Sequence, residues 1–488
     1  MISDSRNLTL LTDFYELTMM QGYLNANMAN RVVVFDLFYR RNPSGNGYAI
    51  AAGLEQAIEY IRNLHFTDED MGYLNKTGYF DNAFLNTLRD LRFTGDIYAV
   101  PEGTVVFPHE PLIKVKAPLF QAQLLETALL TIINHQSLIA TKAARVCQAA
   151  QGEPVLEFGL RRAQGPDAGV YGARAAVIGG CSATSNVLAG RLFNIPVKGT
   201  HAHSWVMSFG NELSAFRAYA KNYPQACVLL VDTYDTLRSG VPNAITVFKE
   251  MREAGIRLKD YGIRLDSGDL AYISKMSRKM LDAEGFTDAV ISASSDLDEN
   301  LISQLKIQGA KITLWGVGTN LITSEDCPAF GGVYKLAAEM GGNGELIPKI
   351  KLSENPEKVT NPGDKKIFRL YDRQSGKFKA DLITLADERP EASNDLSIFD
   401  PMATWKSMTL KAGTYIVREL LEPVFINGEC VYNLPGVAGI QAYCKNETGT
   451  LWDEHKRLSN PQVAYVDLSQ RLYDLKQEMI KKARGLNE

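Results

Sequence analysis

A chain of 488 residues is longer than one hydrophobic core usually serves, so two or three domains are expected and a small stapled scaffold is excluded. Hydrophobic residues make up 45% and charged residues 22%, with no biased tract, which excludes a disordered chain. Lys and Arg number 52 against 56 Asp and Glu, a formal charge of −4, which leaves no broad positive field for gripping nucleic acid or an anionic membrane.

The opening text, MISDSRNLTLLTDFYELT, holds the acidic residues Asp4, Asp13 and Glu16 and no long apolar core, and no stretch reaches the roughly 18 consecutive apolar residues of a membrane span. Cys147, Cys181, Cys227, Cys327, Cys430 and Cys444 are scattered without a CxxC pair, so reduced thiols and a cytoplasmic protein are expected, with no structural zinc. VVVFDLFYRR, from Val32 to Arg41, reads as a strand that Asn42-Pro43-Ser44-Gly45-Asn46-Gly47 terminates. Leu54, Ala57, Ile58 and Ile61 recur at helical spacing, and short strands return between Tyr98 and Pro118. Gln121 to Ala150 contains neither Gly nor Pro and reads as one long helix leading out of an N-terminal α+β domain, residues 1–140.

From 141 to 385 the pattern changes to short apolar runs separated by helices: PVLEFG, ACVLLVDT, YGIRLDSGD, DAVISASSDL and KITLWGVGTNL among them. Runs apolar on both faces belong to a parallel sheet covered by helices, which predicts an α/β barrel or a doubly wound sheet. Charged, hydroxyl and glycine residues gather where these runs end, at Glu157, Arg161-Arg162, Thr200, His203, Asp232, Asp266 to Asp269, Ser294-Ser295 and Gly316 to Asn320. In barrel enzymes that rim carries the chemistry. Residues 386–488 form a smaller C-terminal region, with the hairpin signal VFINGECVY around Asn427-Gly428 and a closing helix, LSQRLYDLKQEMIKKA.

Each rim motif has a functional and a plain structural reading. Adjacent Arg161 and Arg162, flanked by glycines, suit phosphate, because a guanidinium fork binds two oxygens; an ion pair with Glu157 is the plain alternative. Gly316-Val317-Gly318-Thr319 offers backbone amides and a hydroxyl to phosphate, against a simple tight turn, and is not the dinucleotide fingerprint. His201 and His203 alternate in Thr200-His201-Ala202-His203-Ser204; without a third ligand a metal pair is disfavoured, and a histidine nucleophile toward phosphorus competes with a histidine satisfied by backbone. Arg264-Leu265-Asp266-Ser267-Gly268-Asp269 sets a cation beside two carboxylates, suited to an anionic substrate and Mg2+, against helix capping.

The segments LLTDFYELTMMQGY, VFDLFYRRNP, EFGLRRAQGPD, GTHAHSW, IRLDSGDL, GVGTNL and GGVYKL extend over most of the chain, which closely resembles the longer, ATP-coupled nicotinate phosphoribosyltransferases. The resemblance implies an irregular α/β barrel of the type II phosphoribosyltransferase kind with an N-terminal α+β domain and a small C-terminal region. It implies transfer of a ribose 5-phosphate group from phosphoribosyl pyrophosphate to nicotinate in NAD salvage, coupled to ATP hydrolysis through a phosphohistidine. By that resemblance His203 is the phosphorylated residue and acts with Asp266 in catalysis. Tyr15 contacts the pyridine ring across a homodimer interface. Thr200 and Arg264 meet nicotinate, Gly318 and Thr319 hold a phosphate of the ribosyl donor, and Arg161 and Arg162 lie near the ring and pyrophosphate. Mg2+ arrives with ATP and phosphoribosyl pyrophosphate, with no direct protein ligand assigned, and neither nucleic acid nor membrane is a partner. Two other readings share the scaffold: a nicotinamide or quinolinate phosphoribosyltransferase, and a silent nucleotide sensor.

Overall fold

A computed structural model describes residues 6–485, so the first five residues of the segment read for a targeting sequence lie outside it. The chain divides into two compact units, one of residues up to Leu138 together with Ala329 onward, the other Ile139–Pro328.

The first unit is built on a seven-stranded sheet whose neighbours are, in order, Leu346–Pro348, Gly332–Met340, Val32–Tyr39, Ile113–Pro118, Asp96–Ala99, Glu422–Ile426 and Glu429–Cys430. The expected strand at Val32 is the third of the seven, with neighbours on both sides, Val34 and Leu37 fully buried and Phe35 stacked on Tyr334 at 4.6 Å. Gly332–Met340 pairs antiparallel with that strand. The α/β barrel is expected over 141–385, whereas from Gly332 the chain lies in the first unit's sheet, where pairing with Val32–Tyr39 satisfies its main-chain N–H and C=O groups. Glu422–Ile426 pairs with Asp96–Ala99, so the closing region shares this sheet too. Its hairpin turns as expected, with φ of 50° at Asn427 and 80° at Gly428, the paired positive values of a type I′ turn. The helix expected from Gln121 starts earlier and is broken at Leu125, giving Leu119–Leu124 and Glu126–Ala150.

The second unit holds six parallel strands, neighbours in the order Ala183–Thr184, Val155–Glu157, Leu314–Val317, Val290–Ala293, Gly262–Leu265 and Val228–Leu230. Leu229, Leu230, Ile263, Leu265, Ile291, Ala293, Trp315 and Val317 are all fully buried, as strands covered on both faces require. Helices Pro166–Ile178, Val241–Glu253, Leu270–Ala283 and Glu299–Ile307 connect them. Next to Ala183–Thr184 the chain adds one more parallel step, a bridge from Thr184 to Val197, and no longer strand forms in the 195–203 segment. Behind the rim, buried Glu299 takes Lys142 at 2.8 Å and Arg145 at 2.7 Å.

No helix among the described residues is long and apolar enough to cross a membrane, and none of the six cysteines is in a disulfide.

Candidate active site

Parallel strands end on the same side of a sheet, so the residues that follow them meet there. In the second unit they surround a cleft of about 570 Å³. Arg161, Arg162, Thr200, His203, Arg264, Asp266, Gly318 and Thr319, all singled out from the sequence, line it together. Tyr15 belongs to the other unit, half-exposed on the helix Phe14–Asn25, with its hydroxyl pKa pushed up by burial and by the charge of Glu126.

His203 opens the short helix His203–Met207, and its Nε2 lies 3.2 Å from Oδ1 of Asp232. The imidazole is 39% exposed whereas the Asp232 carboxylate is 2% exposed, so the ring faces the cleft from a buried anchor. The other oxygen of Asp232 accepts the backbone N–H of Asp266 at 3.0 Å and the hydroxyl of Ser267 at 2.6 Å. Ser294 in turn donates its hydroxyl to Asp266 Oδ1. Two carboxylates, Asp232 and Asp266, thus tie the loops after three strands into a single network. Asp232 stood in the sequence as one rim residue among many; the signal that marks it is its place at the end of a fully apolar strand, where a buried carboxylate must find donors.

Arg264 projects from Gly262–Leu265 and donates Nη1–H to the Thr200 hydroxyl. Its Nε is buried without a hydrogen-bond partner, and burial holds its pKa below the usual range for arginine despite the opposing charges of Asp266 and Asp232. A fixed cation with an unmet donor in a cleft is a ready partner for an anion.

Arg161 and Arg162 lie exposed on a one-turn helix, Leu160–Arg162, and enter none of the ion pairs among the described residues. The plain alternative, pairing with Glu157, does not occur: that carboxylate is buried and accepts instead from the Thr184 hydroxyl at 2.5 Å and the Gly159 N–H. Burial raises the pKa of Glu157. A side chain at Gly159 would put its Cβ 2.5 Å from Ile322 Cβ and 2.8 Å from the Gly318 carbonyl, so this glycine lets the arginine turn approach the Gly318-Thr319 turn. After the next strand, Val290–Ala293, Ser295 also lines the cleft and is held at φ 98°, a strained value for a residue with a side chain.

His201 is 8% exposed, and burial lowers its pKa to about 4. Among the described residues no group of three or more His, Cys, Asp or Glu is arranged to hold a metal ion.

Models of the nicotinate phosphoribosyltransferase family match the N-terminal domain over residues 10–134, the family's central part over 154–338 and the C-terminal domain over 364–476. Over 480 residues the chain is 49% identical to nicotinate phosphoribosyltransferase of Bacillus subtilis, covering 98% of this chain and 96% of that protein. The chain belongs to the nicotinate phosphoribosyltransferase family. Within that family it is also 36% identical to the Homo sapiens protein over 524 residues, covering 96% and 95% of the two chains. The crystal structure of human nicotinic acid phosphoribosyltransferase aligns with a TM-score of 0.82 at 33% identity, covering 96% of this chain and 100% of that one. Nicotinate-nucleotide pyrophosphorylase from Pyrococcus furiosus, at 22% identity and a TM-score of 0.69 over 92% of this chain and 97% of that one, shares the fold. The family's mixed α/β fold thus has an N-terminal, a central and a C-terminal domain.

Proposed function

We propose that this cleft carries both halves of an ATP-coupled reaction, phosphoribosyl transfer to nicotinate and phosphorylation of His203. Family membership gives the chain nicotinate phosphoribosyltransferase activity in NAD salvage. In the transfer half, the ring nitrogen of nicotinate forms a bond to C1 of the ribose as the C1–O bond to pyrophosphate breaks. The transition state is cation-like at the sugar, so positioning and stabilisation of the departing pyrophosphate do most of the work. Arg264, steadied by Thr200, pairs with the nicotinate carboxylate. Arg161 and Arg162, free of carboxylate partners, take pyrophosphate oxygens, and the Gly318-Thr319 turn takes the 5-phosphate.

In the ATP half, the Asp232 carboxylate accepts Nε2–H of His203, which leaves the lone pair on Nδ1. That nitrogen attacks the γ-phosphorus, a P–N bond forms, and the bond to the bridging oxygen of ADP breaks. The phosphoryl group adds about two negative charges beside the arginines and orders the cleft around the ribosyl donor. Mg2+ fits as an ion carried by substrate: Asp266 and Asp296 supply carboxylates on the cleft, too few for a protein-only site. Its chemistry would be to neutralise charge on the phosphates. Tyr15 would meet the pyridine ring of a second copy, making a homodimer the working unit, in the cytoplasm.

The observation that carries this reading is the convergence of His203, Arg264, the arginine pair and Asp266 on one cleft. Incubation with nicotinate, phosphoribosyl pyrophosphate and MgATP should give nicotinate mononucleotide and ADP, with nicotinamide and quinolinate as poor competitors. Equal use of nicotinamide would overturn the assignment of Arg264.

A further inference from the structure

The parallel sheet of the second unit has two edges that main-chain bonds do not join. At one, the chain leaves Thr184 and runs beside it, with Lys198 N–H donating to the Thr184 carbonyl at 3.0 Å. At the other lies Val228–Leu230, with only one strand neighbour, Gly262–Leu265. The His201 side chain reaches from the first edge to the second. Leu230 N–H donates to Nε2 of His201 at 3.2 Å, a buried bond. The ring sits edge-on to Tyr219 at 4.7 Å and within 6.1 Å of Phe216, both on the helix Glu212–Asn222.

We propose that His201 is a positioning residue, its imidazole standing in for the main-chain acceptor a further strand would supply and so fixing Thr200 and His203 against the end of Val228–Leu230. This rests on the roles given to Thr200 and His203 above. The logic is one of register. An unmet amide on a sheet edge is costly when buried, so the 199–203 segment gains from delivering an acceptor at that height. Thr200, which steadies Arg264, and His203, which meets Asp232 two residues beyond Leu230, flank the clip on either side. The contact requires a neutral ring with the proton on Nδ1, and burial favours the neutral form. Nδ1 lies 3.4 Å from the Ala202 carbonyl, which suits that tautomer. Of the two histidines in the motif, one reacts and the other holds it in place.

The test compares wild type with His201→Phe, which keeps ring packing and removes the acceptor, and His201→Gln, whose carbonyl reaches about as far as Nε2. Ring 15N shifts in selectively histidine-labelled full-length protein, exchange of the Leu230 amide, phosphohistidine yield, and kcat and KM for nicotinate are measured beside thermal stability. The expected result is a Leu230 amide protected in wild type and Nε2 unprotonated. His201→Phe should lose on the order of 100-fold in kcat through misplacement, and His201→Gln should recover most of it. A protonated Nε2, full activity in His201→Phe, or equal impairment of Phe and Gln variants would overturn the proposal. Should wild type form neither mononucleotide nor phosphohistidine, the functional reading fails, while the tautomer and the Leu230 amide still decide the clip. If His201→Phe does not fold, His201→Gln and the wild-type spectra carry the decision.

Discussion

Replacing Arg264 by Met should separate nicotinate from nicotinamide while leaving the fold intact. The guanidinium is largely buried, donates to Thr200 and leaves Nε–H unmet. A nicotinate carboxylate would meet that donor and pair with the charge; nicotinamide carries no charge to pair. Truncating one member of a buried charged pair costs about 2–5 kcal/mol. Taking ~3 kcal/mol, kcat/KM for nicotinate should fall roughly 150-fold, at about 1.4 kcal/mol per factor of ten. For nicotinamide, which loses only neutral contacts, the fall should stay below about tenfold. Burial disfavours the charged form of Arg264, so the Met variant should melt no lower than wild type and can melt higher. The assay is steady-state kinetics with both bases under saturating phosphoribosyl pyrophosphate and MgATP, beside a thermal melt. Equal losses for the two bases would refute the reasoning, as would a melt well below wild type.

Asp232→Ala should cut the phosphohistidine yield from MgATP at least about tenfold, since the ring loses its anchor, and quantitative labelling checks this. Gly159→Ala would drive a Cβ into Ile322 and the Gly318 carbonyl, so KM for phosphoribosyl pyrophosphate should rise about tenfold or more as the arginine turn shifts, measured by initial rates. In the first unit Glu110 is fully buried, with Oε1 unpartnered, and burial together with the neighbouring Asp381 charge raises its pKa well above the ordinary range. Its proton is therefore held more tightly in the folded state than in the unfolded one. The stability it contributes is complete below the unfolded pKa of about 4.3 and is lost as pH rises toward the folded value. Glu110→Gln, which mimics the protonated acid, should flatten that decline in urea melts taken across the pH range; an unchanged slope would contradict it.

Much of the site is legible in the sequence because a parallel strand announces its end: an apolar run stops and polar residues begin. That is how Arg161, His203, Asp266 and Thr319 stand out without any contact being known. The Asn427-Gly428 turn is legible for a related reason, since only a few residues accept two successive positive φ values. What stays hidden depends on distance along the chain. Gly332–Met340 reads as a strand, but nothing local says that its partner is Val32–Tyr39. The anchor role of Asp232 needs the Asp266 amide, the Ser267 hydroxyl and the His203 ring at once. Spacing alone leaves His201 and His203 alike and the family resemblance picks out His203; in the structure burial separates them, one ring packed among aromatics and the other open to the cleft.

The central claim, that a phosphorylatable imidazole and a phosphoribosyl-binding rim are one site, is tested most directly by mapping the phosphoryl acceptor. The protein is incubated with γ-labelled ATP and Mg2+, digested at alkaline pH, and the labelled peptide sequenced. Label should reside on His203, be absent from His203→Ala, and be discharged as phosphate when nicotinate and phosphoribosyl pyrophosphate are added, with His203→Ala retaining a slower, ATP-independent transfer. Label on any other residue, or label that survives turnover, would contradict the account.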